Sequence, residues 1–465
     1  MEKLSAQDVG FLKIETPRCP FHVAALVILT PPDKAAANYL RQLARKCGRL
    51  NEILPAFNKR LEDPEDLSAA AWIPADNYQA ANHVLHYALP APGRMADLLP
   101  LVTRAHERAL DRSRPLWELH MIEGLPGGRF ALYCKTHHAL VDGIGAMRMI
   151  QSLFSTDPKQ KIDLRKVRRE PTRQHSHHSL FQQLGGVAKG VLEQYRALPQ
   201  LSRLLLHMGA DILKGNTDAM RLPFTAPRTI FNTELESRRS LSICDLPLKT
   251  VKRLARQHGG TVNDVLLAIC GGALRRYLQA HAALPKNSLI VGMPMSLKSG
   301  GEREGNRLSY IISPFFTDEK DDLRRLQRVI RTTRAAKAEM TSMSVTAAED
   351  FYALLMVPAV LLTISGNAER FNPAINGIFS NVPGAKTPLY LDGARMEALY
   401  PLSIITHGMG LNITVVSQAG KLCFGIAACP TRQADIEQLP GHIRASYQAL
   451  RRASASPGDA KRRND

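Results

Sequence analysis

The sequence has no apolar run long enough to cross a bilayer. A span needs about 20 apolar residues. The most apolar stretches are Ala24–Leu29 and Ala353–Ile364, and Pro358 interrupts the second. The opening MEKLSAQDVGFLKIE carries acidic and polar residues where a signal peptide needs an apolar core. Neither end carries a lipidation signal. The seven cysteines form no CxxC pair and are odd in number. That usage fits buried thiols in a reducing compartment better than a disulfide framework. These absences lead to the expectation of a soluble cytoplasmic protein.

Acidic residues are also in deficit. There are 61 Lys and Arg against 42 Asp and Glu, a formal net charge of +19. Such a balance favours anionic partners: nucleic acid, an acidic lipid surface or a phosphorylated small molecule. Aromatics make up only 6% of the chain. No basic stripe with interleaved aromatics appears, so nucleic acid is not the expected partner. GxGxxG and Walker A loops are missing, which argues against those nucleotide folds. With no G-x-S-x-G elbow, a serine-nucleophile hydrolase is not supported either.

Hydrophobic residues at 45% and charged residues at 22% are those of a globular chain. At 465 residues, two to three domains are expected. Residues 1–155 read as mixed α/β. Phe21–Leu29 is a strand stopped by Thr30-Pro31-Pro32, and Asp33–Leu50 and Met95–Leu110 have helical spacing. Leu116–Leu125 and Arg129–Thr136 form a hairpin around Pro126–Gly128, and Gly143–Phe154 is helical. Residues 156–229 are a basic linker, dense in Lys and Arg over Lys159–Arg173. It continues into an amphipathic stripe over Leu180–Ile212, kinked at Pro199. Residues 230–452 return to α/β, with strands at 241–243, 289–294, 308–316, 375–381, 411–418 and 421–428. Thr261 is the expected N-cap of a helix running to His281. Residues 453–465 form a polar tail of disordered composition.

The densest chemical signal is Lys135-Thr-His-His-Ala-Leu-Val-Asp-Gly143, between a strand and a helix. Neighbouring side chains on a strand point to opposite faces. His137 and His138 are therefore expected to part, one facing a cavity and the other packing into its own domain. Divergent histidines do not chelate a metal, and no HExxH or H-x3-5-H partner is near, so no metal site is expected. Two readings stay open: a hydrogen-bonded structural pair, or one histidine as a general base for a hydroxyl nucleophile.

His137-His138-x-x-x-Asp142-Gly143 resembles the HHxxxDG signature of CoA-dependent acyltransferases. Further segments narrow the likeness. They are Pro115-Leu116-Trp117, Asn263-Asp264 in TVNDVLLAICGGALRRYL, Ser380-Asn-Val-Pro-Gly384 and Gly410-Leu-Asn-Ile413. Together they are similar to the bacterial bifunctional wax ester synthase/acyl-CoA:diacylglycerol acyltransferases, from about Leu4 to Arg452. The resemblance implies an α/β fold of two chloramphenicol-acetyltransferase-like domains around a central active-site tunnel. It implies transfer of a long acyl chain from acyl-CoA, a substrate and not a cofactor, to a fatty alcohol or diacylglycerol. His138, the second of the pair, matches the family's catalytic histidine. His137, Asp142, Gly143, Asn263 and Asp264 match supporting positions.

The residue chemistry accords with that. A base that removes the proton of an attacking hydroxyl contributes ~10²–10⁴-fold. His138 could then return the proton to the leaving thiolate with no covalent intermediate. Asp142 reads either as a triad acid or as a loop-holding residue paired with an arginine, with Arg307 as the candidate. Asn263 reads as a cap or as an oxyanion donor. Trp117 reads as core, and Cys134, in an apolar strand, as an inert thiol. Two other functions remain open. One is a condensation or polyketide-lipid acyltransferase with a carrier-protein thioester as donor. The other is a non-catalytic basic module on lipid. Acceptors that dissolve in bilayers lead to a further expectation: peripheral contact with a membrane or lipid-droplet surface at the inner face of the cell membrane.

Overall fold

The computed structural model describes residues 2–68, 70–141, 143–165, 224–297, 307–342, 362, 370–430 and 436–455. The strands in chain order are β1 (Glu2–Lys3), β2 (His22–Thr30), β3 (Lys59–Leu61), β4 (Ala71–Pro74), β5 (Val84–Ala88), β6 (Trp117–Glu123) and β7 (Phe130–His137). They continue with β8 (Ser240–Pro247), β9 (Ile290–Leu297), β10 (Arg307–Pro314), β11 (Gly377–Pro383), β12 (Tyr390–Leu391), β13 (Ala394–Leu402), β14 (Leu411–Gln418) and β15 (Lys421–Ala428). The helices of the first part are α1 (Ala6–Ile14), α2 (Tyr39–Cys47), α3 (Met95–Glu107) and α4 (Gly143–Ser152).

Among the described residues, one six-stranded sheet runs β12-β13-β2-β7-β6-β5 and another runs β10-β9-β11-β14-β15-β8. In the first, only β5 and β6 pair in parallel. In the second, β11 lies parallel to both β9 and β14. The β6–β7 hairpin turns at Pro126–Gly128, where Gly127 takes a positive φ of 75°. β2 is buried from His22 to Leu29 with no polar alternation, because both faces of the sheet are covered. Val23, Ala25 and Val27 join one core with Trp117, Leu119 and Met121. Ala24, Leu26 and Ile28 face α3 through Leu98 and Val102, and meet Leu235, Cys423 and Ala427 of the second half.

The two sheets meet where β13 packs on β14 and β15. A Cβ on Gly425 would lie 1.6 Å from the Pro401 carbonyl oxygen, so only glycine allows that approach. In the second half, helix Val262–Ala280 is buried almost all round, as expected for a central helix. Thr261 caps it, as the sequence suggests.

The strand β13 departs from the sequence reading. Residues 394–402 lie within the expected second domain, 230–452, yet they pair with β2 of the first sheet. β13 is buried without a break from Ala398 to Leu402, which marks a covered strand but does not say which sheet receives it. The expected helix Asp33–Leu50 is regular only over Tyr39–Cys47. The stripe Leu180–Ile212 and residues 456–465 lie outside the described residues. Among the described residues, no helix is long and apolar enough to cross a membrane.

Candidate active site

β7 ends at His137, a turn follows, and α4 begins at Gly143. Both histidines are held by their backbones. The His137 N–H donates to Leu116 O at 3.0 Å, and the His138 N–H donates to Phe21 O at 2.8 Å. Tyr133, Lys135 and His137 share one face of β7, the face that α3 covers.

His137 is fully buried and sits across the β2–β7 ladder from His22. Its Nδ1 accepts the Ala139 N–H at 3.0 Å. An accepting Nδ1 means a neutral ring with its proton on Nε2. That Nε2 faces Glu15 Oε1 at 3.4 Å, longer than an ordinary hydrogen bond.

His138, one residue on, is only half-buried. Its ring meets Phe11 edge-on, with centroids 4.7 Å apart. Phe11 in turn stacks on Phe21 at 5.7 Å. The pair therefore parts: one imidazole lies inside the domain and the other lies at its margin against an aromatic ring.

Glu15 terminates α1, and its side chain is 4% exposed. Its Oε1 also accepts the Phe21 N–H at 2.9 Å. Its Oε2 accepts from Arg112 Nε at 3.2 Å and Nη2 at 3.0 Å. Burial pushes this carboxyl up, but His137, Phe21 and Arg112 outweigh it and hold the group below the usual glutamate range. Sequence reasoning missed Glu15, Arg112 and Phe11. One signal was available: a carboxylate at a helix C-terminus opposes the helix dipole and calls for another partner.

A second buried polar group lies on the same face. Lys135 Nζ, wholly buried, donates to Ala105 O in the last turn of α3 at 3.0 Å and to the carbonyl of its C-cap residue, Arg108, at 2.9 Å. It also pairs with Glu118 Oε2 at 3.1 Å. A cation at a helix C-terminus fixes α3 on the sheet.

The remaining candidates sit as follows. Asp142 lies outside the described residues, as does the side chain of Arg307. Gly143 is the first residue of α4. Asp264 completes a capping box: Oδ2 accepts the Thr261 N–H at 2.7 Å, and Oδ1 accepts Thr333 Oγ1–H at 2.7 Å. Asn263, beside it, is half-buried in the first helical turn, and the cap is Thr261 rather than Asn263. Ser380 and Asn381 lie in β11, half-buried, and the next residue, Val382, packs on the core of the first sheet. Trp117 is core: it stacks on Phe57 at 4.1 Å and donates Nε1–H to Phe57 O. Burial pushes the Cys134 thiol up to about 12, which makes it a poor nucleophile.

The wax ester synthase/diacylglycerol acyltransferase catalytic-domain family matches residues 4–266, and the C-terminal domain of the same family matches residues 304–451. A Mycobacterium tuberculosis protein carrying a diacylglycerol O-acyltransferase name is 35% identical over 461 residues, covering 97% of this chain and 99% of that protein. The O-acyltransferase WSD of Acinetobacter baylyi is 32% identical over 474 residues, covering all of both. The solved wax ester synthase/diacylglycerol acyltransferase from Marinobacter aquaeolei superposes with a TM-score of 0.79 at 29% identity, over 98% of this chain and 100% of that one. A trichothecene 15-O-acetyltransferase from Fusarium sporotrichioides shares the fold alone, with a TM-score of 0.58 at 13% identity over 96% of this chain and 94% of that one.

Proposed function

The chain belongs to the wax ester synthase/diacylglycerol acyltransferase family, and we propose that His138 is the general base of its acyl transfer. The enzyme is an O-acyltransferase whose donor is acyl-CoA and whose acceptor is an alcohol or diacylglycerol. The observation that carries the catalytic reading is the parting of the two histidines. His137 has both ring nitrogens turned to its own domain. His138 is left half-buried beside Phe11 and Phe21, anchored by its backbone to Phe21 O.

In the proposed reaction His138 takes the proton of the acceptor hydroxyl as its oxygen attacks the thioester carbonyl. The new C–O bond forms a tetrahedral oxyanion. Collapse breaks the C–S bond, and the imidazolium returns its proton to the CoA thiolate. No protein nucleophile is needed. Asn263 is proposed as a polar group that orients acceptor or oxyanion, while Asp264 holds the helix that carries it. Both substrates are proposed to reach His138 along the seam between the sheets.

Acceptors of this kind live in bilayers, so we further propose peripheral docking on an anionic membrane or lipid-droplet surface. Lys159 and Arg165 are exposed and suit it. Lys161 does not, since its Nζ donates to Asp392 O at 3.1 Å.

The experiment is thiol release from palmitoyl-CoA, with and without a panel of long-chain alcohols and diacylglycerol. Acceptor-dependent release that disappears in His138→Ala is the expected result. Release only from a carrier-bound acyl group would replace acyl-CoA as donor. No release from either donor would leave a non-catalytic lipid-surface protein.

A further inference from the structure

His138 is held by two neighbours, and Glu15 touches both. Phe21 accepts the His138 N–H through its carbonyl and gives its own N–H to Glu15 Oε1 at 2.9 Å. His137, the preceding residue, presents Nε2 to the same oxygen at 3.4 Å. Among the described residues, Nε2 of His137 has no hydrogen-bond partner in good geometry, so that carboxylate oxygen is the polar atom opposite it. Arg112 closes the set from the far side, on Oε2.

A buried ionised carboxylate is costly unless several donors satisfy it. Here they come from three places: the lead into β2, the segment after α3, and the end of β7. Being ionised, Glu15 only accepts. That leaves His137 Nε2 as the donor and Nδ1 as the acceptor of the Ala139 N–H. The latter contact closes the turn on which His138 stands.

We propose that Glu15 is a positioning residue for the acyl-transfer base. It fixes the tautomer of His137, and through His137 and Phe21 it sets the backbone and ring of His138. This rests on His138 being the base. Glu15 acts through its neighbours and touches no reacting atom. A shift of the base by about 1 Å can cost a hundredfold in rate, so its loss falls on kcat and not on KM.

The test uses the full-length enzyme with Glu15→Gln and Glu15→Leu, beside His138→Ala. Glutamine keeps an acceptor oxygen for Phe21 and His137 but can also present its amide as a donor. Leucine keeps neither. Steady-state kinetics with palmitoyl-CoA and a long-chain alcohol are measured well below each melting temperature. The His137 ring nitrogens are followed by 15N spectra of histidine-labelled protein, assigned by loss of the signal in His137→Asn.

The expected order in kcat is wild type, then Gln, then Leu, with Leu down about tenfold to a hundredfold and KM within about twofold. The His137 signals should move from one fixed tautomer to a mixture in both variants. If Leu is poorly folded, Gln alone carries the comparison. A folded variant with wild-type kcat overturns the proposal. So does a fall in kcat with an unchanged His137 tautomer, and so does a fall explained by the unfolded fraction. Turnover surviving in His138→Ala would instead overturn the base assignment, and the tautomer spectra would still report on Glu15 and His137.

Discussion

His137 and His138 are adjacent in the chain, yet their substitutions should fail differently. In His138→Ala a half-buried ring and its contact with Phe11 are lost. Turnover should drop by ~10²–10⁴-fold with the melting temperature little changed. In His137→Ala the Ala139 N–H and Glu15 lose a buried partner. That should cost about 1–3 kcal/mol, with activity falling through stability and through the displaced turn. Urea melts beside kcat separate the two; near-normal turnover in folded His138→Ala would remove the base. A second residue-scale outcome concerns acid. Burial raises the Glu118 carboxyl, but His120 and Lys135 outweigh it and bring the group down to about 2. An ordinary glutamate in the unfolded chain titrates near 4.5. The pair's stabilisation is therefore complete above pH 4.5 and lost as pH falls toward 2. Glu118→Gln should be less stable than wild type at pH 7, and the gap should close in acid. A gap independent of pH would mean that the ion pair is not its source. The divergence of the histidines was legible because strand alternation is local. Glu15 with Arg112 was not, because the two residues stand 97 apart and only the fold joins them.

At the scale of elements, the parts read from sequence are those with local signals. β14 and β15 have the expected limits, because alternation and the Ala419-Gly420 turn define them. The Thr261 cap and the β6–β7 hairpin are local in the same sense. What escaped is pairing at a distance. β13 follows β12 by a tight turn at Asp392-Gly393, both at positive φ, and then crosses to lie along β2. Nothing in its residues names that partner. β5 and the small sheet β1-β4-β3 escaped as well, being strands of only two to five residues, too short to show a period. The crossing of β13 makes the close contact at Gly425 a joint between the halves. A Cβ there meets main chain, the Pro401 carbonyl, which cannot rotate away. Gly425→Ala should therefore destabilise by about 1–3 kcal/mol or more, with cooperative unfolding of both sheets together. The measurement is a denaturant melt followed by two probes. A neutral effect would mean that the junction yields, and separate transitions would mean that the sheets unfold independently.

At the scale of the whole molecule, the question is where a net charge of +19 sits. Ion pairs such as Lys46–Asp392 and Arg112–Glu15 sum to zero and contribute nothing to that excess. Helix Leu248–Gln257 is different. It buries Val251, Leu254 and Ala255 and carries no acidic residue. Lys249, Lys252, Arg253 and Arg256 are all exposed, with no ion pair among the described residues. Its end is tied to the last helix, since Gln257 Nε2–H donates to Ser454 O at 2.5 Å. That brings it beside a segment holding the exposed Arg452. Because the apolar face of this helix is already used in the core, any attraction to a membrane there is electrostatic. Each Lys or Arg near an anionic leaflet gains roughly 1 kcal/mol. Salt cuts the gain, since the Debye length falls from about 10 Å at 0.1 M to 3 Å at 1 M. The enzyme should therefore sediment with anionic vesicles at low salt, weakly at high salt, and hardly at all with neutral vesicles. Replacing Lys249, Lys252, Arg253 and Arg256 by Ser should weaken binding at least tenfold, and replacing Lys159 and Arg165 should weaken it less. Both variants should keep wild-type turnover on a soluble short-chain alcohol, because neither set contacts His138 or Glu15. Undiminished vesicle binding in both would move docking to another part of the surface, and salt-independent binding would make it hydrophobic.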